Sequence, residues 1–359
     1  MTDATVHFLV PDGIDDDARV SGGNVYDRRI AEGLRARGID VRMSRIAAGA
    51  GTDVAHAMAN LPRDAVVLID GLLAVAASDV LHAQSAGLRI VVLAHMVAGA
   101  LSESRGARSD EREREALHAA RAVIATSEWT RSELIARGLA EPGRIAVAHP
   151  GTDAVPAAPG SESGARLLCV GAVAPHKGQD VLVAALAGMT DLPDWTCAIV
   201  GSRDADRDFA RRTTAAIRSA ALGPRVALTG VLTGRELEDA YRTADLVVAP
   251  ARVESYGMVV AEALARGIPV VASRVGGVRE AIAGRPGGVL VPPDDPGALR
   301  AVLRRWREDT GWRAELKADA LQSRTERRTW DEAAGIAATV LGEVSGPANV
   351  IGPERRAAG

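Results

Sequence analysis

The chain has 359 residues, which at about 150 residues per domain predicts two domains. Hydrophobic residues make up 47% and charged residues 25%, a composition that excludes wholesale disorder and a disulfide-built miniprotein. The net charge of −3 gives no general case for nucleic-acid binding, because nucleic-acid-binding domains usually carry a basic face. Only Lys177 and Lys317 are lysines among the 43 basic residues. Because the chain otherwise uses arginine, each lysine is a candidate for a specific role.

The N-terminal sequence and the two cysteines indicate the cellular compartment of the protein. The N-terminus lacks the apolar stretch of a secretory signal, and no run of about 18 apolar residues predicts a transmembrane helix. Cys169 and Cys197 each lie in an apolar run, and we interpret them as buried thiols of a reducing cytosol. We therefore expect a cytoplasmic protein without an integral membrane segment.

Short β-branched runs alternate along the chain with longer Ala-, Leu- and Arg-rich stretches of helical period. This alternation is typical of a parallel sheet wound with helices, and it occurs twice. The predicted strands are residues 6–10, 41–46, 65–69, 89–94, 122–126, 144–148, 166–170, 196–200, 226–229, 246–249, 270–272 and 289–291. We predict an α/β fold of two Rossmann-like, doubly wound parallel-sheet domains, with a Pro- and Gly-rich linker at residues 150–164.

Two glycine-containing turns follow predicted strands and precede predicted helices. Gly22 and Gly23 allow backbone amides to approach an anion at a helix N-terminus, although such a turn needs no ligand. The second turn contains Gly171 and Lys177, and its lysine can place an ammonium group beside a phosphate. The alternative interpretation of Lys177 is a solvated surface residue.

The most specific motif lies between residues 250 and 271. Glu254 and Glu262 flank Gly257, and both carboxylates can accept hydrogen bonds from hydroxyl groups. The exposed amides at the start of this helix are those of Met258, Val259 and Val260. Carboxylates on both sides of an anion site suit a ligand with hydroxyls on both sides of a phosphate, such as a nucleotide sugar. A glycine-paired turn at residues 273–280 can contact the same anion.

The segment from Glu254 to Val271 resembles the motif of two glutamates with seven residues between them in retaining nucleotide-sugar glycosyltransferases of family four. That family has the GT-B fold, with two Rossmann-like domains facing a central cleft. Further matches in order and spacing are Ser21 to Asn24, His95, the helix start at Ser127, Asp153 and the glycine turn at 275–280.

The resemblance implies a role for each of these residues. Glu254 would accept hydroxyls of the transferred sugar and Glu262 the ribose hydroxyls. Lys177 and the amides near Gly257 and Gly23 would hold the diphosphate. His95 would lie across the cleft, near the sugar and the acceptor, where a purely structural histidine is the alternative.

One position departs from the family. Its diphosphate loop usually has an arginine where this chain has Ala172. We expect the diphosphate to depend on Lys177, on helix amides, or on a substitute cation, for which Arg252 and Arg274 are the candidates.

The resemblance also implies the domain roles. We expect residues 1–163 to bind the acceptor and residues 164–326 the donor. Residues 327–345 would form a helix that crosses back to the first domain, and residues 346–359 a flexible tail.

The predicted activity is transfer of a sugar, with retention, from a UDP- or GDP-sugar to a soluble small molecule or peptide. The leaving diphosphate would act as the base in a front-face mechanism, without a metal or a cofactor. The alternatives are a nucleotide-sugar 2-epimerase on the same fold and a non-catalytic, two-lobed sugar-binding protein. The sequence leaves the donor base, the sugar, the acceptor and the oligomeric state open.

Overall fold

A computed structural model of the chain describes residues 5–16, 21–47, 51–97, 99, 107–282, 284 and 286–346. The predicted tail, residues 346–359, lies outside the described residues from position 347 onward. Within the described ranges, no helix is both long and apolar enough to cross a bilayer.

The first domain is built on a parallel sheet. In the described part of the chain, six strands pair in the order β2-β1-β3-β4-β5-β6. The strands are β1 Val6–Pro11, β2 Val41–Ile46, β3 Val66–Asp70, β4 Arg89–Ala94, β5 Ala122–Ala125 and β6 Ile145–Val147. The helices are α1 Gly22–Ala36, α2 Gly51–Ala59, α3 Gly71–Ala76, α4 Ser78–Gln84, α5 Ala107–Ala119 and α6 Glu128–Ala136.

The second domain repeats this architecture with a different strand order. Its six strands, again among the described residues, pair in parallel in the order β12-β11-β10-β7-β8-β9. The strands are β7 Arg166–Val170, β8 Thr196–Val200, β9 Val226–Gly230, β10 Leu246–Ala249, β11 Val270–Ser273 and β12 Gly288–Val291. The helices are α7 Gln179–Ala187, α8 Arg207–Ser219, α9 Gly234–Thr243, α10 Met258–Ala265, α11 Val278–Ile282, α12 Pro296–Glu308 and α13 Thr310–Ser323.

Helices cover both faces of each sheet, which explains why central strands such as β3 and β10 are mostly apolar. Two buried clusters lie on the two faces of the first sheet and two more on those of the second. Helix α1 shows how a helix fits this plan, since Tyr26, Ile30 and Leu34 repeat every four residues and are all buried. The fold confirms the predicted pair of doubly wound parallel sheets.

The last helix, α14 Trp330–Ser345, packs on the first domain. Its N-terminus is a capping box, in which Thr329 and Glu332 exchange side-chain and backbone hydrogen bonds. Its buried residues, Ala333, Ala337, Val340 and Leu341, join the cluster that contains α1 and the first sheet. The chain therefore returns to the first domain after completing the second.

The two cysteines lie on neighbouring strands, Cys169 on β7 and Cys197 on β8. Both are buried and neither forms a disulfide. Burial raises the pKa of both thiols, so they are protonated at neutral pH. This confirms their interpretation as buried thiols.

Candidate active site

The strand order of each sheet locates a candidate ligand site. In wound sheets, ligands bind outside the carboxyl ends of the strands where the strand order reverses. The second sheet reverses between β7 and β10, and the loops after these strands carry the predicted glycine, lysine and glutamate residues. The first sheet reverses between β1 and β3. Both reversals thus coincide with predicted functional loops.

Lys177 lies in a 3-10 turn, Pro175–Lys177, and not at the start of the helix itself, which begins at Gln179. Gly178 links the two with a φ of +68°, and its backbone approaches the carbonyl of Pro250 so closely that a Cβ would collide with it. The turn therefore packs directly against the loop that carries Glu254. Gly171, at the start of the Lys177 loop, lies beside the lysine side chain.

The structure brings Lys177 and Glu254 into direct contact. The Lys177 Nζ atom lies 2.6 Å from Glu254 Oε2, and the two side chains are 28% and 23% exposed. Such a partly buried pair is stronger than a fully exposed one, since it is less screened by solvent. The two residues that the family resemblance assigns to a diphosphate and to a sugar are therefore ion-paired with each other.

Arg252 has its charge matched by other residues. Its guanidinium binds Asp180 through two hydrogen bonds of 2.9 Å and Asp294 through one of 2.7 Å. It also donates to the carbonyl of Pro175 at 2.6 Å. These contacts fasten the Lys177 turn to the Glu254 loop. Arg252 thus anchors the site in this structure, and its charge is not available as a free cation.

Arg274, the other candidate substitute, is exposed and forms no ion pair with the described residues. Ala172, at the position of the family's arginine, accepts a hydrogen bond through its carbonyl from Gln179 Nε2 at 2.9 Å. The backbone of this loop is therefore fixed by Gln179, while its side chain offers no charge.

Helix α10 begins beside this ion pair with free backbone donors. Its N-cap is Gly257, at a φ of +96°, which has no side chain to cap the helix. The first amides of a helix have no acceptor within it, so those of Met258, Val259 and Val260 remain available for an anion. This geometry supports the predicted anion site.

Glu262 lies one turn into α10 and is fixed by Tyr241. The Tyr241 hydroxyl donates to Glu262 Oε2 at 2.8 Å. Burial raises the pKa of Glu262, while the Tyr241 hydrogen bond and nearby Arg266 oppose that shift. One carboxylate oxygen is thus occupied, which leaves the other for a ligand hydroxyl.

On the first domain, His95 follows β4 and contacts two buried aspartates. Its Nε2 atom lies 2.8 Å from Asp27 Oδ1 and 3.2 Å from Asp70 Oδ2. Burial alone would lower the pKa of His95, but the two carboxylates outweigh it and raise the pKa to about 10. Burial raises the pKa of Asp27 to about 6, against the opposing effect of His95. These three side chains also form a donor set that suits a divalent cation. The prediction of no metal site stays a prediction.

The glycine turn of the first domain connects His95 to the second domain. A Cβ on Gly23 would lie 3.4 Å from the His95 ring, and one on Gly22 would lie 3.2 Å from the Met258 sulfur. Gly22 and Gly23 thus lie between His95 and the start of α10. The structure therefore brings the glycine turn of the first domain into contact with the N-terminus of α10 in the second.

Hydrogen bonds join the two domains beside the Glu254 loop. Ser127 Oγ donates to the Ser255 carbonyl at 2.6 Å. Glu280, in the second glycine turn, accepts the amides of Glu128 and Trp129 at 2.8 and 2.7 Å. His149 Nε2 lies 2.9 Å from Glu280 Oε2. We call Ser127, Ser255, His149 and Glu280, with these two amides, the interdomain contact.

The interdomain contact is electrostatically favourable. Burial would raise the pKa of Glu280, but its hydrogen bonds with His149 and the two amides lower the pKa below its usual range. The ionised carboxylate lies at the N-terminus of α6, where the helix dipole favours negative charge.

Sequence reasoning missed Asp27, Asp70, Tyr241 and the partners of Glu280. Asp70 had a signal, because it ends a buried strand directly before a helix that it caps through the amides of Leu72 and Leu73. The only sequence signal for Asp27 was its position four residues after Gly23.

Two Rossmann-like domains, each built on a parallel six-stranded sheet with flanking helices, define the GT-B class. Sucrose-phosphate synthase from Thermosynechococcus elongatus has the same fold, with a TM-score of 0.80 over 95% of this chain and 99% of that one, at 23% identity. The HepE protein of Anabaena, solved in complex with UDP and glucose, matches with a TM-score of 0.75 over 95% and 100% of the two chains, at 20% identity.

Sequence comparison identifies similar proteins. Residues 164–309 match the family described as "Glycosyl transferases group 1". A D-inositol 3-phosphate glycosyltransferase from Salinispora tropica is 34% identical over 244 residues, which cover 62% of this chain and 50% of the relative. Its counterpart from Xylanimonas cellulosilytica is 33% identical over 251 residues, or 65% and 59% of the two chains. The chain thus has the GT-B fold, its second domain is similar to the group 1 glycosyltransferases, and the matches span only about half of these relatives.

Proposed function

We propose that the protein is a retaining glycosyltransferase that moves a sugar from a nucleotide diphosphate sugar to a soluble acceptor. The observation that carries this proposal is the Lys177–Glu254 ion pair beside the uncapped N-terminus of α10. A cation, a hydrogen-bonding carboxylate and free amides lie together at the strand reversal, and these are the groups that a sugar diphosphate requires.

Donor binding would exchange the partners of this ion pair. The diphosphate offers Lys177 a stronger negative charge than one carboxylate, so the ammonium group turns toward the phosphates. Glu254 is then free to accept hydroxyl groups of the sugar, and Glu262 accepts those of the ribose beside Tyr241. The donor's own charge thereby prepares the carboxylate that orients its sugar.

Transfer would proceed on one face of the sugar. The bond from the anomeric carbon to the diphosphate oxygen breaks, and its electron pair leaves with the diphosphate. The acceptor oxygen forms the new bond from the same side, and its proton passes to the departing diphosphate. Lys177, Arg274 and the α10 amides stabilise the charge that develops on the leaving group.

The comparisons support the ligand classes in this proposal. The HepE structure contains UDP and glucose, which favours UDP-sugars among the donors to test. The curated relatives are named for a hydroxylated small molecule, D-inositol 3-phosphate, which favours a soluble, polyhydroxylated acceptor. We also propose that the protein acts in the cytoplasm and needs neither a metal nor a cofactor.

A panel of UDP-, GDP- and ADP-sugars tests the proposal by calorimetric titration, followed by mass spectrometry of the products. We expect one nucleotide class to bind, and Lys177→Ala to weaken that binding by at least tenfold. Arg211→Ala removes an exposed cation that pairs with Asp208 on α8, and this matched control should bind as the parent does. Binding to none of the donors, or an epimerised donor as the sole product, would contradict the proposal.

A further inference from the structure

In the part of the chain that the structure describes, the backbone passes between the two domains twice, once after β6 and once before α14. The two passages contact each other directly. The Thr152 amide donates to the Arg328 carbonyl at 2.9 Å. A Cβ on Gly151 would collide with the carbonyl group of Thr329, so the two backbones are in close contact there. The segment that carries Arg328 is therefore fixed at the junction of the domains.

The Arg328 side chain extends from this junction to the second domain. Its Nη1 atom donates to the Tyr256 hydroxyl at 3.0 Å and to the Glu280 carbonyl at 3.1 Å. One terminal nitrogen of a guanidinium group carries two N–H groups, so the same atom can serve both acceptors. Hydrogen bonds from a charged donor are stronger than those between neutral groups. Arg328 thus joins the junction to the loop that carries Glu254.

Tyr256 is the residue of that loop which receives the contact. It lies two residues after Glu254 and directly before Gly257, the N-cap of α10. Its side chain is 2% exposed and belongs to an apolar cluster of the second domain. The His149 ring packs against it, with the ring centroids 5.7 Å apart. A buried tyrosine hydroxyl usually needs a hydrogen-bond partner, and Arg328 supplies one.

The position of the Glu254 carboxylate depends on this loop. Its Oε2 atom lies 2.6 Å from Lys177 Nζ, so a small displacement of the loop would change the ion pair. The loop backbone is held where the Gly277 amide donates to the Glu254 carbonyl at 3.1 Å. The hydrogen bond from Arg328 to Tyr256 adds a side-chain attachment to the segment between the domains.

We propose that Arg328 and Tyr256 are positioning residues for Glu254, and that their hydrogen bond holds the Glu254 loop where its carboxylate can meet the transferred sugar. The inference rests on the proposed function for the role of Glu254 toward the sugar. A binding residue keeps its geometry only where neighbouring side chains fix it, and neither Arg328 nor Tyr256 needs to touch the ligand for this. The junction of the domains is thereby coupled to the donor site.

The two lysines of the chain provide a readout that needs no substrate. Protein labelled with ¹³C at the lysine Cε atoms should give one NMR signal each for Lys177 and Lys317, and Lys317→Arg assigns them. Tyr256→Phe removes only the hydroxyl group. It should shift the Lys177 signal, because Glu254 moves relative to the ammonium group, and leave the Lys317 signal in place. An unchanged Lys177 signal in both Tyr256→Phe and Arg328→Ala would overturn the proposal.

Turnover distinguishes positioning from a general loss of stability. Arg328→Ala should lower turnover at least tenfold, whereas UDP affinity should change less than threefold. In a Glu254→Gln background the same substitution should cost less than twofold, because a residue that acts through Glu254 then has nothing left to position. Equal losses in both backgrounds would overturn the proposal. Arg207→Ala removes an exposed arginine that pairs with Asp204, and this control should match the parent.

The lysine signals separate this inference from the proposed function. A Lys177 signal that shifts in Tyr256→Phe, in a protein that binds no nucleotide sugar, would support the positioning and contradict the proposed function. Sugar transfer by a protein whose Lys177 signal stays unchanged in both variants would overturn this inference alone.

Discussion

Replacement of Glu280 by alanine should weaken the contact between the two domains. The carboxylate accepts two amide hydrogen bonds from α6, at 2.8 and 2.7 Å, and pairs with His149 at 2.9 Å. Hydrogen bonds to a charged group contribute about 1.5–3 kcal/mol each. Because the Glu280 and His149 side chains are 20% and 19% exposed, water replaces part of this energy. We expect a loss of about 2–3 kcal/mol. This corresponds to a decrease of roughly 30- to 150-fold in the ratio of protein with the interdomain contact formed to protein with the two domains separated.

The interdomain contact also supports the loop that carries Glu254. The amide of Gly277 donates to the Glu254 carbonyl at 3.1 Å, and Ser127 holds the carbonyl of Ser255. Separation of the domains therefore removes support from the loop that carries Glu254. Turnover should fall with the population in which this contact is formed. UDP affinity should change less than threefold, because most candidate nucleotide contacts, namely Lys177, Glu262 and the α10 amides, lie in the second domain.

Small-angle scattering measures the domain separation, and steady-state kinetics measures the turnover. Glu280→Gln keeps one acceptor oxygen and should give an intermediate effect of about tenfold. Glu308→Ala removes a glutamate that pairs with Arg304 within the second domain, and this control should match the parent. An unchanged scattering profile and unchanged turnover in Glu280→Ala would refute the coupling.

The remaining predictions concern the donor half of the cleft. Lys177→Ala should weaken UDP far more than uridine, and an equal loss for both in calorimetry would remove its phosphate role. Glu262→Gln should weaken UDP but not a 2′,3′-dideoxy analogue of it, since only the ribose hydroxyls need the carboxylate. Ala172→Arg should tighten UDP binding by roughly tenfold through a new charge-assisted hydrogen bond, and an unchanged affinity would show that Arg274 already serves this purpose.

The sequence predicts the central strands well because strands such as β3 and β11 are mostly apolar, β-branched runs buried on both faces. The observed bounds of β2, β4, β7, β8 and β10 are those predicted, and the other strands shift by one or two residues. The main uncertainty at strand ends is whether a flanking residue joins the ladder, as Asp70 does at the end of β3. The predicted strand ends at residue 69, whereas in the structure Asp70 pairs with Leu93 of β4.

The contacts that the predicted site residues make could not be predicted from the sequence, because they join residues that are distant along the chain. Asp27 lies on α1 and Asp70 at the end of β3, and only the pairing of β1, β3 and β4 brings both to His95. Arg252 likewise meets Asp180 and Asp294 through three separate loops. Local patterns identify strand ends and helix starts, but such contacts depend on how distant segments pack.

The stereochemistry of sugar release tests the central claim most directly, since water can replace the unknown acceptor. The protein is incubated with the α-linked nucleotide sugar that binds in the panel, and the anomer of the first sugar released is read by ¹H NMR before it equilibrates. A retaining glycosyltransferase releases the α-anomer, and Glu254→Gln should lower this release by at least tenfold. Release of the β-anomer would contradict retention, and an intact or epimerised donor would contradict glycosyl transfer by this site.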